Sequence, residues 1–251
     1  MFTKVKKPHE IDAMRESGKM LATVLALLKK EISAGMTTKD LADIAKKELR
    51  TLGGQPTFLG YYGFPDVICI SVNDEVVHGI PNPDKTIKKG DIVGLDFGVT
   101  YKGMITDAAV SVVVDEPIAP RTKELLNTTE RSLEAGIQVV CDGVRVGDIG
   151  NAIQKILDAH HLGIVRDLVG HGVGHQLHED PNIPNYGHRG IGPQLHAGMT
   201  IAIEPMATLG THKVYIADDG WTVFTIDHSL SAHFEHTVLI TEDGAEILTL
   251  L

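Results

Sequence analysis

The 251-residue sequence predicts a mixed α/β (α+β) fold that is made of two similar halves. Amphipathic helical stretches alternate with short apolar strands along the chain. Two segments recur at a shared offset of 108 residues: 35–41 as 143–149, and 90–96 as 198–204. Two matches at one offset indicate half-domains that are related by a pseudo-twofold axis. We therefore expect one domain over residues 1–251, with halves at roughly 1–115 and 116–251.

The spacing of apolar residues places four helices in this fold. The first helix covers about residues 8–31. Thr37 is the expected N-cap of the second helix, and Asp40 at the N3 position completes a capping box. Pro120 opens the third helix, and Asp148 is the expected cap of the fourth.

Apolar runs predict strands between these helices and after the last one. The expected strands are residues 67–72, 91–100, 104–114, 200–207, 213–216, 221–225 and 231–240. After Gly163 and up to about Gly198 the sequence is rich in glycine, histidine and proline, which indicates loop structure.

The composition limits the class of protein. The chain carries 33 Asp+Glu against 23 Lys+Arg, for a net charge of −10, so we expect no DNA partner. Cys69 and Cys141 form no CxxC motif, which excludes a disulfide scaffold and a thiolate zinc site. The longest apolar run, residues 20–28, is too short to span a bilayer, and the acidic N-terminal region is unlike an export signal. We expect a cytoplasmic protein with no membrane partner.

Four carboxylates stand in strands that are otherwise apolar, namely Asp96, Asp107, Glu204 and Glu235. Acidic residues are depleted in strands and are rarely buried unless another group pairs with them. A single case would more often be a residue at the end of a strand that is turned to solvent. Four cases together indicate a buried, charged site.

The segment from Asp96 to Asp107 predicts a hairpin that turns at Tyr101 and Lys102, unless a bulge at Gly103 shifts its register. In that register the two carboxylates face each other with Cβ atoms about 5 Å apart. Like charges in this position destabilise a sheet, so a cation must lie between them or one must be protonated. No lysine or arginine occupies the adjoining strand positions, which favours a divalent metal ion.

The glycine-rich segment 170–181, which we call the histidine loop, contains His171, His175 and His178. Glycines on both sides of His171 let the backbone approach closely and present the ring. Four carboxylates and one imidazole form a hard, oxygen-rich ligand set that suits two divalent ions of manganese, iron or cobalt. Such a pair would balance the charge of the carboxylates, and it would predict hydrolysis of a carbonyl or phosphoryl centre.

The order Asp96, Asp107, His171, Glu204 and Glu235 resembles that of the type I methionine aminopeptidases, in the pita-bread metallohydrolase superfamily. The matching segments are 71–81, 94–98, 106–109, 170–181, 203–205 and 235–237. The resemblance implies a pita-bread fold, in which a curved antiparallel sheet is covered by helices in two pseudo-symmetric halves. It also implies an aminopeptidase that removes the N-terminal methionine from nascent proteins when the next residue is small. The attacking group would be a hydroxide that bridges two metal ions.

The resemblance also implies which side chains hold these ions. Asp96 would hold one metal ion, His171 and Glu204 would hold the other, and Asp107 and Glu235 would bridge both. The ions would be cobalt, manganese, iron or zinc.

Catalytic roles follow from the same resemblance. Glu204 would be the proton shuttle, and His178 would stabilise the substrate carbonyl. His78 would contact the scissile amide and assist the leaving amine. Asn73 and Ser231 match positions that bind a monovalent cation in some members of the family.

The resemblance places the substrate methionine in an apolar pocket formed by Tyr61, Tyr62, Phe64, Cys69, Leu177 and Trp221. Contacts between sulfur and aromatic rings suit such a pocket, although the same residues could be ordinary core. Tyr62, His175 and Leu177 depart from the residues that family members often carry, which are His, Arg and Phe respectively. These departures affect the shape of the pocket and leave the metal ligands unchanged.

The implied substrates are the N-termini of nascent polypeptides, and we expect a monomer. Lys4, Lys6 and Lys7 would give a basic lip for docking near the ribosome. One alternative is an X-Pro aminopeptidase or prolidase, which usually has a large additional N-terminal domain. Others are a non-catalytic binding protein on the same fold, which would lose metal ligands, and a glycosidase, which would leave His171 unexplained.

Overall fold

A long antiparallel sheet runs through the protein. The computed structural model describes residues 2–115 and 118–251, which form four α-helices, a nine-stranded antiparallel sheet and two three-stranded sheets. The helices are α1 (Pro8–Glu31), α2 (Thr38–Leu52), α3 (Pro120–Gln138) and α4 (Val146–Ala159), and a 3₁₀ turn spans Tyr61–Gly63. The strands are β1 (Gln55–Pro56), β2 (Cys69–Val72), β3 (Glu75–Val77), β4 (Ile92–Tyr101), β5 (Met104–Val113), β6 (Gly163–Ile164), β7 (Gly170–Gly172), β8 (Glu179–Ile183), β9 (Thr200–Ile203), β10 (Met206–Thr208), β11 (Val214–Ile216), β12 (Val223–Thr225), β13 (Ser231–His233), β14 (Glu235–Ile240) and β15 (Ala245–Ile247).

The long sheet has the strand order β1-β4-β5-β14-β9-β7-β8, with β2 beside β4 and β15 beside β14. The smaller sheets are β13-β10-β6 and β11-β12-β3. Helix α1 packs on β4 and β5, and α2 packs on α1 and β1, whereas α3 and α4 pack on each other and on β8, β9 and β13. This combination of helices with an antiparallel sheet confirms the predicted fold class.

The repeat in the sequence is visible in the backbone hydrogen bonds. Gly35 N donates to Ile87 O at 2.9 Å, and Gly143 N donates to Leu195 O at the same distance, 108 residues later. The isolated bridges have the same spacing: Thr37 pairs with Thr86, and Arg145 pairs with Gln194. Each half therefore leads into its second helix through the same local connection, as a pseudo-twofold relation requires.

Two large hydrophobic clusters lie under the two helix pairs. Leu21, Leu41 and Phe97 belong to the cluster under α1 and α2, and Leu125 and Ile153 belong to the cluster under α3 and α4. These side chains are fully buried, and burial of each one stabilises the fold by about 1.5–3 kcal/mol. None of the helices in the described part of the chain has the length and hydropathy of a membrane-spanning segment.

The first three helices begin where the sequence predicted, and Thr37 caps α2 with Asp40 at the N3 position. The prediction that Asp148 caps α4 is wrong, because Arg145 occupies the cap position. The carboxylate of Asp148 accepts a hydrogen bond from Arg145 N at 3.1 Å, as that of Asp40 does from Thr37 N at 2.7 Å. The repeat explains the difference, since Asp148 is the counterpart of Asp40 and not of Thr37.

Two strands that were predicted as continuous are interrupted in the structure. The predicted strand 200–207 divides into β9 and β10 at Glu204 and Pro205, because proline has no N–H to donate to a neighbouring strand. The predicted strand 231–240 divides into β13 and β14 at Phe234. Sequence analysis missed short strands such as β1, β6, β7 and β8, which lack the apolar runs that predict a strand.

The hairpin of β4 and β5 differs in register from the prediction. Tyr101 pairs with Met104, so Lys102 and Gly103 form the two-residue turn. Both turn residues have positive φ, of 48° and 78°. A type I′ turn requires positive φ at both positions, and glycine adopts it readily, so the turn lies one residue further along the chain than predicted.

This register changes the relation between two of the candidate ligands. Asp96 lies opposite Ala109, and Asp107 lies opposite Gly98, so the predicted direct opposition of Asp96 and Asp107 is wrong. The pairing has shifted by two residues, which preserves the alternation of side chains along the strands. The two carboxylates are therefore diagonal neighbours on the same face of the sheet.

Candidate metal centre and substrate cavity

Five neighbouring strands of the long sheet each carry one ligand-type side chain. In the order β4, β5, β14, β9 and β7 these are Asp96, Asp107, Glu235, Glu204 and His171, with Glu204 directly after the end of β9. Neighbouring strands lie about 4.8 Å apart, so side chains on one face of adjacent strands can share a ligand. The sheet thus gathers residues that are far apart in the sequence.

These side chains converge. Ligand atoms of Asp107, His171 and Glu235 lie within 4.8 Å of one another, and His171 Nε2 lies 3.3 Å from Glu204 Oε1. One carboxylate oxygen of each of Asp96, Asp107 and Glu235 is buried without a hydrogen-bond partner among the described residues. Buried oxygens without a partner are unfavourable, and divalent cations are the partners that suit this donor set.

Burial and mutual repulsion alter the protonation of the carboxylates. Burial, together with the charge of Asp107, raises the pKa of Asp96 well above its ordinary value. Burial raises the pKa of Asp107 to about 7. Burial and the charge of Asp107 also raise the pKa values of Glu204 and Glu235 well above their ordinary range. Without cations these groups hold protons more tightly than usual, and bound cations would displace the protons.

His171 is held in the form that a metal ion requires. Its Nδ1 lies 2.9 Å from the carbonyl oxygen of Gly172, and because a carbonyl can only accept, Nδ1 carries the proton. The other nitrogen, Nε2, then presents a lone pair towards Glu204. Burial lowers the pKa of His171 to about 3, so the ring is neutral near pH 7. Metal-binding histidines commonly have their second nitrogen fixed in this way.

We expect the metal-free protein to lose stability, relative to an Asp107→Asn variant, as the pH rises from about 4 to about 7. The pKa of Asp107 is raised from 3.8 to about 7 in the folded protein, so folding is favoured while the group is protonated and disfavoured once it ionises. Asparagine does not ionise, so the melting temperature of the variant should rise by several degrees relative to that of the wild type over this pH range. Thermal unfolding of both proteins with a chelator, across this pH range, measures the effect. A constant difference would contradict the raised pKa.

The five ligand-type side chains form the polar end of a cavity of about 250 Å³. The cavity is lined by Phe58, Tyr61, Tyr62, Phe64, Cys69, His78, Asp96, Asp107, His171, Leu177, His178, Glu204, Trp221 and Glu235. The structure therefore places every side chain assigned to the metal centre, the catalytic set and the methionine pocket around one cavity. Sequence analysis missed Phe58, because no local pattern separates it from ordinary core.

The apolar end of the cavity is a small cluster of its own. Phe58, Phe64, Cys69 and Leu177 are buried there, with Tyr61 and Trp221 packed against them. Burial raises the pKa of the Cys69 thiol, so it remains protonated and behaves as an apolar group.

Of Tyr62, His175 and Leu177, which were expected to affect the shape of the pocket, two border the cavity. Leu177 is buried in the apolar end, and Tyr62 lies at the rim, where 86% of the residue is exposed. His175 is not part of the lining, and its Nε2 lies 3.1 Å from Glu10 Oε1. The departures at Leu177 and Tyr62 can thus alter the cavity directly.

Two further histidines face the cavity. Nδ1 of His178 lies 2.8 Å from Oη of Tyr61, and its ring contacts the ring of His171 edge to face at 4.4 Å. Burial lowers the pKa of His178, and burial, together with repulsion from His178 when that ring is protonated, lowers the pKa of His78 to about 4. Both rings are neutral near pH 7, and each can donate one N–H. His78 has a φ of 59°, a conformation that is uncommon outside glycine and occurs at functional sites.

His233 also contacts this centre, and sequence analysis missed it. Its Nε2 lies 3.6 Å from Glu204 Oε2 and 4.0 Å from Glu235 Oε2, and it has no hydrogen-bond partner among the described residues. A lone histidine in an apolar strand carries no sequence signal of its own. Its position two residues before Glu235 is the single hint that the sequence offers.

The prediction of a basic lip is wrong for one of its three lysines. Lys6 is buried, and its Nζ lies 3.2 Å from Glu179 Oε2. Lys4 and Lys7 are exposed. The surface near the N-terminus therefore carries less positive charge than the sequence suggests, because one ammonium is neutralised inside the protein.

Asn73 and Ser231, the two candidates for a monovalent cation site, lie next to each other. Ser231 Oγ lies 3.0 Å from the carbonyl oxygens of both Asn73 and Glu75. Ser231 N donates to Asn73 O at 2.9 Å. The structure brings these oxygens together, and the bound cation stays a prediction.

Known proteins resemble this chain over almost its whole length. The family model for metallopeptidase family M24 matches residues 12–242. A methionine aminopeptidase of Clostridium perfringens is 46% identical over 247 residues, which cover 98% of each protein. Methionine aminopeptidase 1 of Bacillus subtilis is 45% identical over 97% of this chain and 98% of its own length.

Solved structures agree with these relatives. The crystal structure of a methionine aminopeptidase from Thermotoga maritima has a TM-score of 0.98 and 46% identity, with full coverage of both chains. A prolidase from Pyrococcus furiosus has a TM-score of 0.79 and 23% identity, and it is covered over 65% of its length. At that identity the prolidase shows a shared fold alone.

Proposed function

The chain belongs to metallopeptidase family M24, and we propose that it is a methionine aminopeptidase, which removes the N-terminal methionine from nascent proteins when the next residue is small. The observation that carries this proposal is the junction of two regions in one cavity. Metal-ligand side chains form one end, and apolar and aromatic side chains form the other. A methionine side chain in the apolar end would place its carbonyl group beside the ligand-type side chains.

In this proposal two divalent cations, of cobalt, manganese, iron or zinc, occupy the polar end of the cavity. Asp96, Asp107, His171, Glu204 and Glu235 would hold these ions. Support comes from the unpartnered carboxylate oxygens and from the four negative charges, which two such ions would balance. When bound, the cations supply activation of a water molecule and polarisation of the scissile carbonyl.

Glu204 is the proposed proton carrier. Its carboxylate borders the cavity at the end where the reacting peptide group would lie. It would accept a proton from the attacking water and deliver it to the leaving amine. Asn185 Nδ2 donates to Glu204 O at 3.0 Å, which holds the backbone at this position.

His178 and His78 are the proposed contacts to the reacting peptide group. When Tyr61 donates to Nδ1 of His178, the neutral ring carries its proton on Nε2. That N–H can stabilise negative charge as it develops on the carbonyl oxygen. His78 would contact the amide nitrogen and assist departure of the amine. Their low pKa values keep both rings neutral, so each remains a donor of the required kind without adding charge near the cations.

The apolar end would receive the methionine side chain. Phe64 and Trp221 meet edge to face at 5.2 Å, and Cys69 and Leu177 complete the wall between them and the polar end. Contacts between a thioether and aromatic rings contribute about 0.3–1.5 kcal/mol each. Such a pocket favours methionine over polar or charged N-terminal residues.

We propose that the enzyme acts on nascent chains as a monomer in the cytoplasm. One chain contributes all the residues of the cavity, so the site needs no second copy. Cys69 and Cys141 are free thiols, which suits a reducing compartment. Docking near the ribosome would rest on Lys4 and Lys7 without Lys6.

A panel of tripeptides tests the proposed function. With Mn²⁺ or Co²⁺, the protein is expected to release the first residue of Met-Ala-Ser about 10- to 100-fold faster than that of Leu-Ala-Ser, because the pocket fits the unbranched thioether. Met-Trp-Ser serves as the control for a bulky second residue. Faster hydrolysis of Xaa-Pro peptides would favour a prolidase-type activity. Absence of hydrolysis by fully metal-loaded protein would favour a non-catalytic binding protein.

A further inference from the structure

The N-terminal arm, residues 2–7, lies across the histidine loop. Thr3 N donates to Asp180 O at 2.5 Å, which joins the arm to the end of the loop. Lys6 N donates to Gly198 O at 2.7 Å, which joins the arm to the turn before β9. The arm is thus fixed to the backbone at two points, one at the end of the loop and one beyond it.

Lys6 and Glu179 form a buried ion pair at this contact. Their side chains are 0% and 2% exposed, and Nζ of Lys6 lies 3.2 Å from Oε2 of Glu179. Nζ also donates to Thr3 Oγ1 at 2.9 Å and to Lys4 O at 3.0 Å, so each of its three protons has a partner. Lysine is almost never fully buried unless it is paired in this way.

The second oxygen of Glu179 closes the turn that presents His178. Oε1 accepts hydrogen bonds from the backbone N–H of His175 at 2.7 Å and of Gln176 at 3.0 Å. His178 is the residue directly before Glu179 in the sequence. One carboxylate therefore links the arm, through Lys6, to the backbone of the turn that carries a candidate catalytic histidine.

The glycines of the histidine loop permit this close contact. A Cβ at Gly174 would lie 2.4 Å from Cε of Lys6, and a Cβ at Gly172 would lie 2.8 Å from Cβ of Thr3. Side chains at these positions would push the arm away. The lack of a side chain at Gly172 and Gly174 is thus required for packing of the arm, in addition to any role near the metal centre.

We propose that Lys6 and Glu179 are positioning residues, which lock the histidine loop so that His178 reaches the substrate carbonyl. His178 is then held at two places. Tyr61 contacts its ring, and Glu179, the next residue in the sequence, fixes the turn before it through the amides of His175 and Gln176. The catalytic part of this inference rests on the proposed function. The structural part, that the pair holds the loop, can be measured without turnover.

Hydrogen exchange in the metal-free protein tests the structural part. In a Lys6→Met variant, exchange of the His175 and Gln176 amides is expected to accelerate about 10-fold or more, because the carboxylate that they donate to is no longer anchored. Lys4→Met is the matched control, since it makes the same change at an exposed lysine of the same arm. Equal exchange in the two variants would overturn the proposal.

Kinetics with Mn²⁺ test the catalytic part. Lys6→Met is expected to lower kcat for Met-Ala-Ser about 10- to 100-fold because His178 is displaced, and KM should change much less, because Leu177 is the one residue of the methionine pocket that lies in the histidine loop. The bound metal per chain should equal that of the wild type. If the variant were instead partly unfolded, its circular dichroism signal would fall together with its activity. Accelerated exchange with unchanged kcat would overturn the positioning role.

Lys6→Met leaves the Glu179 carboxylate buried without its cation, so a double variant guards against loss of the fold. Lys6→Met/Glu179→Met replaces the pair by apolar side chains of similar size, so that no buried charge is left without its partner. It also removes the acceptor of the two loop amides, so fast exchange and low kcat are again expected. A folded double variant with wild-type exchange and kcat would refute the proposal.

Failure of the wild type to hydrolyse methionyl peptides would refute the proposed function, whereas the exchange data would still decide whether the pair holds the loop.

Discussion

Replacement of Asp107 by asparagine is expected to lower kcat/KM for Met-Ala-Ser by about a thousand-fold while the fold remains intact. Asp107 lies on β5, between the strands that carry Asp96 and Glu235, and its carboxylate is close to both His171 and Glu235. Asparagine offers one neutral oxygen, so the variant loses one of the four negative charges that would hold the cations. Loss of about 4 kcal/mol of transition-state stabilisation corresponds to a factor of this size.

Asp243→Asn is the matched control for this variant. Asp243 is an exposed aspartate between β14 and β15, and the same chemical change there should leave kcat/KM at the wild-type value. His171→Ala should reproduce the loss seen for Asp107→Asn, because it removes a different ligand of the same centre. An Asp107→Asn protein with near-normal turnover and normal metal content would end the assignment of this residue.

Removal of metal by a chelator is expected to reduce turnover of Met-Ala-Ser to about 1% or less, and Mn²⁺ or Co²⁺ should restore it. Restored metal should also raise the melting temperature. At a free concentration of about 100 times the dissociation constant, binding stabilises the folded protein by about 2.7 kcal/mol. For a chain of this length that corresponds to about 5–10 °C. Differential scanning calorimetry with and without metal measures the shift.

The Asp107→Asn variant provides the comparison for the metal titration. Its melting temperature should respond less to Mn²⁺ than that of the wild type, since one ligand is missing. Metal analysis of each sample fixes the occupancy. Turnover that persists at less than about 0.1 metal ion per chain would contradict the metal-dependent mechanism.

Local patterns in the sequence predicted the helices and the repeat because their physical causes are local. The capping box at Thr37 and Asp40 and the proline at the start of α3 are signals within a few residues of each helix start. The carboxylates in apolar strands stood out for a similar reason, since Asp96 and Glu204 conflict with their immediate neighbours. Such conflicts are visible without any knowledge of the tertiary structure.

Features that depend on the backbone conformation of single residues, or on contacts between distant segments, were predicted wrongly or missed. The hairpin register depends on the turn at Lys102 and Gly103, where positive φ outweighed the spacing of the two aspartates. Lys6 looked like a surface lysine, because its partner Glu179 is 173 residues away in the sequence. His233 joins the candidate centre through contacts across strands, which no sequence motif records.

The strand order of the long sheet has a consequence for biosynthesis. The candidate ligands come from β4, β5, β7, β9 and β14, and the last of them, Glu235, is made long after Asp96. Because translation starts at the N-terminus, a growing polypeptide that has not reached Glu235 lacks one of the five candidate ligands. We therefore expect a copy that is still being translated to stay inert until β14 has left the ribosome and paired with β5 and β9.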